Sequence, residues 1–120
     1  MKGINVKETV DYISRSDKSE NPTVFKLGVL SARQRSELLS DVLVFKGKDI
    51  DFDIKKVNDR ALDLVKAGLK KIRGIEIDGK MIDVDEVKEE HLEYLPTVVI
   101  NELAFQIVHI NFVGNDEIKN

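Results

Sequence analysis

The segment from Pro96 to Phe112 constrains this chain more than any other stretch, because it has helical length yet is apolar on two sides. Val99, Ile100, Leu103, Ile107 and Ile110 fill one helical face. Val98, Phe105 and Phe112 recur every seven residues on a second, with Val108 beside them. Two narrow polar seams separate these faces: Glu102, Gln106 and His109 on one side, Thr97, Asn101 and Asn111 on the other. A helix at the surface of a globular domain needs only one apolar stripe. One reading is a central helix sandwiched between a hairpin and the other helices of its own fold. Another is a helix that packs at home on one face and offers the other to a partner or a second copy, since 120 residues enclose a helix only with difficulty. The alternation of Val108-His109-Ile110-Asn111-Phe112 admits a strand as a third. Val98, Phe105, Val108 and Phe112 are the candidate partner-binding residues.

The rest of the chain predicts what surrounds that helix. Val6, Val10, Tyr12 and Ile13 suit a short strand, and Thr23 to Val29 reads as another after Pro22. Between them, Ser14 to Pro22 has the composition of a loop, and residues 1–21 are expected to form a mobile N-terminal segment. Ser31 suits an N-cap for a helix from Ala32 to about Leu43. Asp53 suits a second cap, for an amphipathic helix from Ile54 to Ile72 closed by Gly74. Ile75-Glu76-Ile77 and Met81-Ile82-Asp83-Val84 flank Asp78-Gly79, a hairpin signal. A short acidic helix over about Asp85–Tyr94 follows, then Pro96 at the first position of the last helix. Residues 114–120 are expected to fray. The fold class is therefore α+β: one small domain over residues 1–120, with three or four helices, one β-hairpin and a short N-terminal strand pair.

Little in this sequence speaks for catalysis, a cofactor or a metal. With no cysteine there is no disulfide framework, thiolate zinc site or cysteine nucleophile. The seven glycines never cluster into a phosphate-binding loop. Asp49, Asp51 and Asp53 open with the spacing of a calcium loop, but Ile54 and Arg60 stand where glycine and glutamate are required. Asp83, Asp85, Glu86, Glu89, Glu90 and Glu93 read as a helix start and a solvated face. His91 sits in that acidic stretch and is expected in solvent, while His109 is expected to be a structural residue of the last helix. Lys66, Lys70, Lys71 and Arg73 make one basic patch and Arg33 with Arg35 another. Neither has interleaved aromatics to stack on bases, and the net charge is −3, so nucleic acid is a minor alternative. No secretory signal or membrane span is visible, and a cytoplasmic protein is expected.

One resemblance adds to this. Asn21-Pro22-Thr23-Val24-Phe25-Lys26-Leu27 runs into a helix with Arg33 and Arg35. Ala67-Gly68-Leu69, the Asp78-Gly79 hairpin, Leu95-Pro96 before Glu102-Leu103, and the polar end Lys119-Asn120 follow in order. Over residues 20–120 this pattern resembles the tail assembly chaperones of long-tailed bacteriophages. The resemblance implies a non-enzymatic protein of the bacterial host cytoplasm, free of cofactors. It would bind phage proteins such as the tape-measure protein while the tail tube polymerises, and leave before the virion is finished. The ridge of Val98, Phe105 and Phe112 could supply the apolar surface for this, and would equally serve self-association. A head–tail or tail-completion protein that stays in the particle is the alternative within phage biology.

Overall fold

The computed structural model describes residue 1 and residues 3–113, with Val113 placed in its backbone only. The frayed tail expected at residues 114–120 lies outside the described residues. The chain is an α+β domain in which one four-stranded antiparallel sheet carries a layer of helices, and a separate two-stranded hairpin stands beside them.

Strands β1 (Thr9–Tyr12) and β2 (Val24–Gly28) form the expected N-terminal pair, so part of the segment expected to be mobile is built into the sheet. The loop that joins them is tied down by Asp17, whose carboxylate accepts from the Ser19 and Thr23 backbone N–H groups. Helix α1 (Ala32–Leu39) starts where Ser31 caps it, the Ser31 Oγ accepting from the Gln34 N–H and the Gln34 side chain accepting in return. It stops four residues short of the expected end, and β3 (Leu43–Lys46) and β4 (Asp49–Phe52) form a hairpin that the sequence reading missed. Gly47, at φ +63, supplies the left-handed residue its two-residue turn needs.

The long helix expected from Ile54 to Ile72 is three elements. Asp53 caps α2 (Ile54–Asp59), α3 (Ala61–Gly68) follows, and the chain then turns into β5 (Leu69–Ile77). The reason for the misreading lies in the register: Lys26 pairs with Lys71 and Leu27 with Leu69, leaving Lys70 as a bulge. The bulge puts Leu69 and Ile72, three residues apart, both into the core, a spacing that reads as helical in sequence. Gly74 is no helix cap. It sits within β5 at φ +69, where the pairing with β6 (Lys80–Val84) is irregular, and the Asp83 carboxylate accepts its N–H. The Asp78-Gly79 turn closes the β5–β6 hairpin as expected, both residues at positive φ.

Helix α4 is shorter than expected, Glu89–Leu92, and α5 (Thr97–Val113) is the last element, which discards the strand alternative for Val108 to Phe112. The sheet order is β1-β2-β5-β6, and α5 packs on β2, α2 and α3. Phe25, Leu27, Leu64, Val65, Ile72 and Leu103 are among the core residues where these elements meet. On the opposite sheet face Lys26 pairs with Asp11 at 2.9 Å.

Candidate functional site

Helix α5 is mostly enclosed. Leu103, Ala104, Ile107 and Val108 have no exposed surface. Val108 therefore offers nothing to a partner and leaves the candidate site. Phe105 is half-buried and packs against the core. Val98, 66% exposed, and Phe112, 37% exposed, remain accessible near the two ends of the helix. The seven-residue ridge is thus not one continuous surface: the fold covers its middle and leaves its ends.

The Phe112 end continues into the β3–β4 hairpin. Leu43 pairs with Phe52 and Phe45 with Ile50. Side chains two residues apart on a strand share a face, so these four apolar residues line one side of the hairpin. Val44, Asp51, Lys46 and Asp49 take the other, with Lys46 and Asp51 3.7 Å apart. Near the base of the hairpin, the Phe52 ring lies 5.6 Å from that of Phe112 and meets His109 edge-on at 6.2 Å. Toward the tip, Phe45 and Ile50 have no such cover, at 71% and 59% exposure. An apolar stripe thus runs from Phe112 through Phe52 to the Phe45–Ile50 pair.

Both ends of the helix that carries Phe112 are fixed. Buried Asn111, expected in a polar seam, accepts the Leu30 N–H at 2.9 Å and donates to the Ile107 carbonyl at 2.7 Å, tying α5 to the end of β2. Nearer the N-terminus, the Glu102 carboxylate accepts the Tyr12 hydroxyl at 2.9 Å and the Arg15 N–H at 3.3 Å. Burial, and then the Glu102 carboxylate beside it, pushes the Tyr12 phenol up to about 12.

The other candidates are dispersed. Lys66 pairs with Glu89 and Arg73 with Asp85, while the Lys70 ammonium donates to the Ala67 carbonyl and its pKa is lowered by burial. These residues split between α3 and β5 and do not form the helical basic patch that sequence suggested. His91 is not a free surface residue: its Nδ1 accepts the Lys88 N–H at 2.8 Å. His109 is exposed and touches Phe52. Among the described residues, no group of three or more His, Asp or Glu is placed to hold a metal ion, and no helix is long and apolar enough to cross a membrane.

Phe45 and Ile50 escape the sequence reading because Leu43 falls at the expected end of a helix and the alternate aspartates Asp49, Asp51 and Asp53 draw attention to a calcium loop. The signal was present, in the alternation Leu43-x-Phe45 and Ile50-x-Phe52 on either side of Gly47. Comparison of the chain with protein-family models, with characterised proteins and with solved structures gave no match.

Proposed function

We propose that this α+β domain is a non-enzymatic binding protein acting as a phage tail assembly chaperone, holding the tape-measure protein in the bacterial cytoplasm during tail assembly. The observation that carries the reading is the apolar stripe Phe112–Phe52–Phe45–Ile50, half of it unshielded on a hairpin that contributes little to the core. Exposed apolar surface of this kind, on a hairpin whose other side carries Lys46, Asp49 and Asp51, suits an apolar helix face that must be held and then released. The order of sequence pieces from Asn21 to Asn120 supplies the phage reading. The same stripe would let two copies associate, and it would equally serve a head–tail or tail-completion subunit. Fractionation of a phage-producing lysate separates these. A chaperone is found bound to the tape-measure protein and is missing from purified particles, whereas a structural subunit is retained in them. A nucleic-acid regulator is the weaker reading, because Lys66, Lys70 and Arg73 are engaged by Glu89, the Ala67 carbonyl and Asp85.

A further inference from the structure

A second opening lies beside the other end of α5, where Val99 stands about 20 Å along the helix from Phe112. It is a cleft of about 660 Å³ between the Ser14–Thr23 loop, the β5–β6 hairpin and the Tyr94-Leu95-Pro96 turn. Phe25, Ile75, Leu95, Pro96 and Val99 give it an apolar floor. Asp17, Glu20 and Glu76 line it, and among the described residues no Lys, Arg or His does.

The cleft also contains an unfinished sheet edge. Strand β2 begins at Val24, opposite Arg73, whereas β5 continues to Ile77. The Thr23 hydroxyl donates to the Gly74 carbonyl at 3.1 Å, and beyond that point β2 no longer covers β5. In a two-residue hairpin the closing pair, here Ile77 and Lys80, exchanges both backbone hydrogen bonds. The next pair, Glu76 and Met81, then turns its N–H and C=O groups outward. For Glu76, outward is the side that β2 has left, toward the loop that walls the cleft. A backbone donor and acceptor, an apolar floor and an acidic lining therefore meet in one groove.

We infer that this groove binds an extended, lysine- or arginine-bearing peptide segment of a partner protein by strand addition at Glu76, in line with β2. Backbone pairing supplies the register, and the charge of the lining selects a cationic segment. Asp17 suits the role: its carboxyl is held below the usual range by the Ser19 hydroxyl and by the Thr23 and Ser19 backbone N–H groups, so it stays ionised. This site is separate from the hairpin stripe and does not depend on it.

The test uses the full chain and a fluorescein-labelled peptide, Lys-Val-Lys-Val-Lys, with Glu-Val-Glu-Val-Glu as its counterpart. Fluorescence polarisation is expected to show salt-sensitive binding of the lysine peptide alone. Glu20→Lys combined with Glu76→Lys, both at exposed positions, should weaken it roughly tenfold or more. N-methylation of the backbone amides of the lysine peptide should abolish binding without any change to the protein. In a ¹⁵N spectrum the Glu76 amide should shift on titration. Absence of binding at millimolar peptide would overturn the inference. So would equal binding of both peptides, indifference to the charge reversal or to N-methylation, or an unmoved Glu76 amide.

Discussion

Gly68 shows how much a single missing methyl group can decide here. A Cβ at this position would stand 2.6 Å from Ile107 Cγ2, so the close approach of α3 and α5 requires a glycine at the end of α3. Gly68→Ala would gain helix propensity, yet the overpacking should dominate and cost about 1–3 kcal/mol in thermal or denaturant unfolding. Adding Ile107→Ala should recover part of the packing strain. Tyr12 gives a second residue-scale expectation. Its folded pKa of about 12 lies above the ordinary value of 10, so its contribution to stability is fully present below pH 10 and is lost as pH rises toward 12. Ultraviolet titration of the native protein should show one tyrosine with that raised midpoint. Glu102→Gln should lower it only in part, because burial is the larger cause. The caps Ser31 and Asp53 were legible in sequence because capping is a local hydrogen bond. The need for glycine at 68 was not, because its cause lies 39 residues away at Ile107.

Among the elements, what could be read from sequence depended on whether the periodicity was local. The Asp78-Gly79 hairpin and the last helix carry their signals within their own residues, and both formed as expected. Strand β5 did not, because the bulge at Lys70 depends on pairing with β2 and converts a two-residue period into a three-residue one. The end of α5 is likewise fixed by a distant partner. Replacing Asn111 with Leu would leave the buried Leu30 N–H without its acceptor, and should destabilise the domain by about 1–3 kcal/mol in chemical unfolding. The β3–β4 hairpin should behave differently. Phe45→Ser with Ile50→Ser removes mainly exposed apolar surface, and the unfolding free energy should change by no more than ordinary surface substitutions do, about 0.5 kcal/mol each. A large loss of stability would instead mean that the hairpin tip is shielded within the domain.

Across the whole molecule, the two faces of α5 were a correct warning of an unusually buried helix, but sequence could not say which face the fold would cover. Val108 is sealed beneath other elements, Phe105 is half covered, and only Val98 and Phe112 reach the surface to any extent. Phe105→Asp should therefore unfold the domain, detectable as lost helical circular dichroism, since it drives a charge against the core. The exposed apolar surface at the other end of the stripe comes from a hairpin distant in sequence from α5. The candidate site is thus a tertiary product, and only its Phe112 end was found by helical spacing. The proposed function needs that stripe to be the surface that holds a partner. Its most direct measurement is affinity capture from a phage-producing lysate, comparing the natural chain with the Phe45→Ser, Ile50→Ser variant under matched folding. If the stripe is the binding surface, the natural chain retains the tape-measure protein and the folded variant releases it. Equal recovery by both, or recovery of no phage protein by either, would contradict it.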